Sequence, residues 1–364
     1  MIKFALRRMV LGVMIMLGSS VLIYALILAA PGGPEQKFAE NPKYTAEQKE
    51  GYLKSLGLDK PVPVQYCRWL GACRRDKDGL DALIGPTGLP AFLPAGLSGI
   101  NTGILHGELG YSYANGEGVA DMIGHAALPT LILAGLSIAI WLTLAVILGV
   151  WTGLKNGSRF DNTVTTLTYV TSTFPTFILG FMLIWVFAVT LGWTPVSGMT
   201  DARQFPAFGS DLYWQYFGID PVAALIDLAR HLILPVSTLV IISVAGDSRY
   251  VRASVIDSLS MEHVRTARAK GLPYRRVILR HALRTALVPF ATNLGLAFPF
   301  LFGGALITET IFSWPGVGRL TLLATNGLDY PVLMAILLIA SLMVVIGNLI
   351  SDLLYAVLDP RVRL

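Results

Sequence analysis

Apolar residues run along this chain in blocks longer than a globular core requires. A helix needs about 20 apolar residues to cross a bilayer, and several uncharged blocks reach or approach that length. Residues 9–30 form the first, with Lys3, Arg7 and Arg8 before it and Pro31-Gly32-Gly33-Pro34 after it. A secretory leader would begin similarly, but its apolar core is usually about 7–15 residues long, so a retained span is expected. Residues 128–154 form the second block, closed by Lys155. Residues 162–200 carry no charge and predict a third helix over 163–193. Residues 232–246 predict a shorter fourth, continuing into Asp247, Ser248 and Arg249, and residues 285–308 and 332–351 predict the fifth and sixth. The pattern is that of an all-α membrane protein with six transmembrane helices.

Composition agrees: 54% of the residues are hydrophobic and only 14% charged, where soluble domains carry about 25%. The formal net charge is +5. Residues 247–284 hold nine Lys/Arg against three acids. Lys155, Arg159, Arg361 and Arg363 fall on the same side, whereas loops 194–230 and 309–331 carry only Arg203, Arg230 and Arg319. Positive charge gathers in cytoplasmic loops, so both termini are expected in the cytoplasm. The basic run lacks a nucleic-acid reading module, and no nucleic-acid partner is expected.

Three regions follow: residues 1–30, the cytoplasmic N-terminus and first span; residues 31–127, an extracytoplasmic insertion after helix 1; and residues 128–364, a five-helix core with a cytoplasmic segment at 256–284. Cys67 and Cys73, with five residues between them, leave two readings open in an oxidising space: a disulfide, or two free thiols with one beside Trp69. Asp76, Asp78 and Asp81 surround Gly79 but lack the ligand number of a calcium loop, so a solvated turn is expected and no metal site. His106, His125, His231, His263 and His281 are scattered, which speaks against a membrane-embedded enzyme. A secondary transporter would need buried ion-coupling residues. Glu309 and Asp352 lie at predicted span ends, where anchoring or pairing with a nearby Arg is the simpler reading.

The segment 258–289 reads as two short helices joined at a glycine. Ser258 or Ser260 can cap the first, with Glu262 in its opening turn. Gly271 can end it in the left-handed conformation, and Pro273 suits the first turn of the next. Ala267 and Ala269 offer small surfaces for a partner's close approach, and Arg268, Lys270, Arg275 and Arg276 offer charge. A basic loop lying on anionic headgroups would look much the same.

Thr266-Ala-Arg-Ala-Lys-Gly271, followed by His281-Ala-Leu-Arg284 and Ala286-Leu-Val-Pro289, resembles the coupling loop of permeases in ABC (ATP-binding cassette) importers, in particular the dipeptide/oligopeptide/nickel branch. The general Glu-Ala-Ala-x3-Gly pattern reads Arg265-Thr266-Ala267 here, without the Glu, as is usual in that branch. The resemblance runs along nearly the whole chain. It takes in Leu56-Gly-Leu-Asp-Lys-Pro61, Gly107-Glu-Leu-Gly-Tyr-Ser112, Leu128-Pro-Thr130, Glu309-Thr-Ile-Phe-Ser-Trp-Pro-Gly-Val-Gly318 and Asp359-Pro-Arg361. An apparent insertion between Leu70 and His106 departs from it.

The resemblance implies the type I importer permease fold, in the cytoplasmic (inner) membrane of a bacterium or archaeon. It implies a non-catalytic subunit that forms half of a path for di- and oligopeptides, with nickel complexes or oligosaccharides as alternative cargo. Implied partners are a sister permease, two ATPase subunits and an extracytoplasmic binding protein. This chain would bind no cofactor, and ATP and Mg would sit on the ATPases. The ATPase-coupling residues would be Glu262, Arg265, Thr266, Ala267, Arg268, Ala269, Lys270, Gly271, Arg275 and Arg276. No residue is assigned to the substrate path.

Overall fold

The computed structural model describes residues 2–29, 61–71, 74–75, 81–82, 103–288, 290 and 305–358. Outside them lie Cys73, Asp76, Asp78, Gly79, Pro31-Gly32-Gly33-Pro34, the 56–60 stretch, the chain end at 359–364, and most of the predicted fifth span, including Pro289, Pro299, Gly303 and Gly304.

The regular structure of the described residues is helical apart from one short strand pair and an isolated antiparallel bridge between Tyr111 and Gly118. Helix α1 (Ile2–Ala29) opens it. Helix α2 (Val62–Leu70) precedes β1 (Arg74–Arg75) and β2 (Asp81–Ala82), which pair antiparallel. Then come α3 (Val119–Leu154), α4 (Arg159–Thr173), α5 (Thr176–Leu183) continuing as a π-helix (Ile184–Thr190), α6 (Asp211–Ile219) and α7 (Pro221–Ser260). Helix α8 (Glu262–Ala269) is followed by α9 (Tyr274–Arg276), a π-helical turn (Val277–Ala282) and α10 (Leu283–Ala286). Helices α11 (Leu306–Ile311), α12 (Val317–Asn326) and α13 (Tyr330–Leu358) complete it.

Four of these helices, α1, α3, α7 and α13, are long and apolar enough to cross a membrane, and α4 with α5 makes a fifth if that bent pair is one span. The single helix expected over residues 163–193 is therefore corrected to two segments bent by 101°. The cause is Pro175. Its ring disfavours helical backbone at the preceding residue, and Phe174 is extended, at φ −80 and ψ 125. Pro129 and Pro235 stay inside α3 and α7, as spanning helices allow where neighbours satisfy the freed backbone. The expected fourth span also lengthens at both ends. Pro221 starts α7 at the first helical turn, with Asp220 Oδ1 accepting from the Ala223 N–H at 3.0 Å.

The chain divides into two compact units. The first comprises Met1–Gly12, His125–Leu320 and Ala340–Leu364. Its core gathers Leu133, Leu228, Leu232, Val236, Leu239 and Trp314. Helices α3 and α7 approach closely because α3 presents glycines. A Cβ added at Gly149 would lie 2.6 Å from the Ser248 carbonyl oxygen, and one at Gly153 would lie 2.8 Å from Val255 Cβ. Small residues permit such backbone approach between spanning helices. Arg8 pairs with Asp352 at 3.0 Å, so this acid is matched by an arginine as its position suggested.

The second unit comprises Val13–Gly124 and Thr321–Ile339. Ser20 and Tyr66 share a hydroxyl hydrogen bond of 2.8 Å, and Tyr24 donates to Gln65 Oε1 at 3.2 Å. Tyr24, Tyr66 and Trp69 form a ring cluster with centroids 5.4–5.9 Å apart. Cys67 is buried beside them and disulfide-bonded. The Gly107–Ser112 motif gains a structural reason here. The Ser112 hydroxyl donates to Asp329 Oδ2, and the Tyr113 N–H donates to Asp329 Oδ1 at 3.0 Å. That carboxylate, 2% exposed, fixes the turn that enters α13.

Candidate functional site

Helix α7 runs on past its apolar stretch and delivers the chain into a helical hairpin. It stops at Met261, which is extended at φ −67 and ψ 147, and α8 begins at once. Neither serine caps α8, contrary to expectation. Met261 holds the cap position without a side-chain bond. The Ser258 hydroxyl instead donates to the Ala282 carbonyl at 2.7 Å, and Ser260 donates back to Asp257 at 2.7 Å. A serine that reaches across to Ala282 ties α7 to the far arm of the hairpin.

Gly271 ends α8 with φ +70. Its N–H donates to Arg268 O at 3.0 Å, and the Leu272 N–H donates to Ala267 O at 3.4 Å. These two bonds are the Schellman closure, which satisfies the last carbonyls of a helix and brings the next apolar residue back against it. Leu272 accordingly packs on Val264 and Ala267. Pro273 occupies the cap position before Tyr274, one place earlier than expected.

The hairpin has its own small core: Val264, Ala267, Val277 and Ala282, all buried, with Leu259 and Leu272 against them. A helix of eight residues is marginal alone in water. These contacts supply what it lacks. Ala267 is 4% exposed and faces inward, so the expectation that it meets a partner is corrected. A period of about 3.6 residues places 264 and 267 on one face and 265, 266, 268 and 269 on the other.

That outer face carries Glu262, Arg265, Thr266, Arg268, Ala269 and Lys270, all exposed, and beyond the turn Gly271, Arg275 and Arg276. Glu262 and Arg265 approach to 3.6 Å on the surface. Apolar side chains sit among the charges: Met261, Tyr274 and Leu279 are exposed. Positive charge with interspersed apolar side chains suits docking to a protein surface.

A second group of residues holds this region to the spans. Arg252 on α7 bonds Asp161 at the start of α4 through Nε to Oδ1 at 2.5 Å and Nη2 to Oδ2 at 2.8 Å. The Gly157 N–H and the Thr165 hydroxyl also donate to Asp161, at 2.9 and 3.2 Å. Arg252 Nη2 reaches Asn156 Oδ1 at 2.9 Å. Sequence reasoning counted Arg252 only as a loop cation and missed the pair. The available signal was Ser158-Arg-Phe-Asp161, the spacing of a capping box. The Ser158 hydroxyl does accept from the Asp161 N–H, at 3.2 Å.

A third group is the buried knot around Glu309, which is 0% exposed. The Thr130 hydroxyl donates to Glu309 Oε1 at 3.0 Å and accepts from the Val317 N–H at 2.8 Å. The Arg319 N–H donates to Glu309 Oε2 at 3.0 Å, and Trp314 Nε1 donates to the Pro129 carbonyl at 2.9 Å. A Cβ at Gly316 would lie 2.5 Å from Glu309 Oε2. The motif over residues 309–318 thus closes on the Leu128-Pro-Thr130 stretch. Among the described residues the expected pairing with an arginine side chain is not made: Arg319 meets Glu309 only through its backbone N–H, and its guanidinium donates to Ser313 O at 3.0 Å.

Comparison with known proteins adds to this geometry. The family model described as the binding-protein-dependent transport system inner membrane component matches residues 145–364, and the model for the N-terminal part of such components matches residues 1–89. The chain is 33% identical over 366 residues to the oligopeptide transport system permease protein AppB of Bacillus subtilis, covering 100% of both chains. It is 34% identical over 369 residues to the dipeptide transport system permease protein DppB of Escherichia coli K12, covering 100% of this chain and 99% of the relative. It is 34% identical over 365 residues to the di/tripeptide transport system permease protein DppB of Pseudomonas aeruginosa, with the same coverage.

Proposed function

The chain belongs to the family of binding-protein-dependent transport system inner membrane components, and from that premise we propose that it forms half of the membrane path of an ATP-driven importer for di- and oligopeptides. The full-length likeness to three peptide permeases carries the reading of cargo. The hairpin at the end of α7, with an inner core and a basic outer face, supports the reading of mechanism.

The permease makes and breaks no bonds. Two ATPase subunits, holding ATP and Mg, supply the energy. They dock on the outer face of the hairpin through Arg265, Thr266, Arg268, Ala269, Lys270, Arg275 and Arg276. Ala267 and Gly271 shape the hairpin from within, and Glu262 starts its first helix. Movement of the hairpin is passed to α7 through the Ser258–Ala282 bond and to α4 through the Arg252–Asp161 pair. A ligand or nucleotide acts on such a machine only by favouring one of its states over another.

A sister permease completes the path, and a binding protein delivers cargo on the other side. The chain crosses the membrane six times in this reading, once in residues 1–30 and five times in the core 128–364, with residues 31–127 extracytoplasmic and both termini cytoplasmic. Water-soluble maleimide should then label a cysteine at Pro90 from outside and one at Lys270 only from inside.

The functional test is uptake of a radiolabelled dipeptide by proteoliposomes holding both permeases and both ATPases, with binding protein outside and ATP within. Uptake that needs ATP and binding protein supports the reading. Uptake driven by an ion gradient without ATP would overturn it.

A further inference from the structure

We propose that Asp247 is a cargo-binding residue on the translocation path, where its carboxylate receives the α-ammonium group of a peptide. This rests on the peptide-importer reading above.

Asp247 lies within the spanning helix α7. A charge inside a span is costly and is normally matched by an opposite charge or by water in a cavity. Among the described residues its hydrogen-bond partner is Trp141, whose Nε1 donates to Oδ2 at 2.7 Å. An indole brings no charge, and a carboxylate has about four acceptor sites. The nearby cations are engaged elsewhere. Arg249 donates to Ala245 O at 2.8 Å and Ser172 Oγ at 2.9 Å and lies over the Tyr169 ring at 4.4 Å. Arg252 is held by Asp161.

Asp247 lies inside the spanning part of α7, toward the end that leads into the hairpin. Its neighbour Ser248 is level with Gly149 of α3, five residues before the end of the uncharged run 128–154 (154 − 149). At a rise of 1.5 Å per residue that is about 8 Å from the end. The Trp141 indole reaches the carboxylate from deeper in the same run.

The face around it is unlike a lipid-facing one. Ser243, Gly246, Asp247 and Tyr250 recur at helical spacing, and each is half-exposed or exposed. The outer half of the same helix exposes Val222, Leu225, Ile226 and Ile233 instead. Space beside Gly246 is open, with nothing within 4 Å of an added Cβ. Ser137, one turn before Trp141 on the same face of α3, is fully buried, and its hydroxyl has no hydrogen-bond partner. The half-exposed Ser243 and Asp247 and the exposed Gly246 suit a water-filled passage better than lipid, which cannot satisfy polar groups.

Among the described residues Asp247 has no cation partner on the side away from Trp141. Every peptide with a free amino end carries one, whatever its side chains. A single carboxylate therefore suits a passage that must admit many sequences. One contact holds cargo weakly enough to leave, as conduction requires.

The test uses the assembled importer in proteoliposomes, with alanyl-alanine as probe. Asp247→Asn keeps the size and removes the charge, and Asp247→Glu keeps the charge. Uptake per assembled complex should fall roughly tenfold or more in Asp247→Asn, the scale of one lost charge-assisted contact. Asp247→Glu should recover a substantial part. Tyr250→Cys should react with a water-soluble maleimide in intact membranes. Wild-type uptake by Asp247→Asn, or a Tyr250→Cys that reacts only with a lipid-soluble reagent, would overturn the site alone. A drop in the yield of complex with normal uptake per complex would also overturn it, by showing that Asp247 pairs with a cation of the sister permease. If the unmodified importer moves no peptide, the peptide reading itself fails and this proposal with it.

Discussion

Arg252 grips Asp161 with two nitrogens, and the Asp161 side chain is almost wholly buried while the Arg252 side chain is 26% exposed. The pair joins the loop end of α4 to the part of α7 that leads into the hairpin. Removing one partner of a buried pair leaves a stranded charge and costs about 3–5 kcal/mol. The partial exposure of Arg252 lowers that figure here. Arg252→Ala should cost about 2–3 kcal/mol and lower the thermal unfolding midpoint of the purified protein. Adding Asp161→Asn should cost less than the sum of the two single changes. Strict additivity would mean that the pair contributes nothing to holding the helices together.

Ala267 and Ala269 are two residues apart and should respond oppositely. Ala267 is buried within the hairpin, so Ala267→Trp overpacks it and should destabilise the isolated permease by roughly 1–3 kcal/mol. Ala269 is exposed, so Ala269→Trp should leave the midpoint unchanged and reduce recovery of the complex with ATPase subunits. Thermal unfolding and co-purification, read side by side, check both.

Glu309 accepts hydrogen bonds from Thr130 and from the Arg319 backbone in a fully buried setting. Glu309→Leu leaves those donors without a partner, at about 1–3 kcal/mol for each buried group. Glu309→Gln keeps an acceptor and should cost less. Equal midpoints for the two variants would show that the knot is held by Trp314 and apolar packing alone.

Cys67 is bonded, and Cys73 is the other cysteine of the chain. Protein isolated without reductant should resist alkylation at both positions, and reductant should release two thiols together. Loss of this bond in a Cys73→Ser variant should lower stability by about 2 kcal/mol or more. Two thiols alkylated before reduction would reject the pairing.

Helices α1, α3 and α13 were legible in the sequence because an uncharged run of bilayer length has few other uses, whereas α7 was legible only over its shorter uncharged run 232–246. The left-handed Gly271 was legible for a similar reason: a glycine between a short basic helix and a proline has a narrow role. The bend at Pro175 was not, since two other prolines sit inside spanning helices without breaking them. Proline alone does not say whether neighbouring helices will satisfy the freed backbone. The inward turn of Ala267 needed the second arm of the hairpin, because alanine suits both a core and a close contact. Asp161 with Arg252, Thr130 with Glu309, and Ser112 with Asp329 are 91, 179 and 217 residues apart. Periodicity does not reach that far, and only the folded chain brings them together.

The claim that the hairpin transmits the ATPase stroke is tested most directly by cargo-stimulated ATP hydrolysis in the reconstituted importer. Gly271→Val would strain the backbone at φ +70 by about 1 kcal/mol or more, while Ala269→Trp and Arg268→Glu change only the exposed face. With intact complex as the basis of each rate, cargo and binding protein should accelerate hydrolysis in the wild type and fail to do so in Gly271→Val and Ala269→Trp, with Arg268→Glu intermediate. Wild-type stimulation in all three variants would contradict the account and leave the hairpin as a basic loop at the membrane surface.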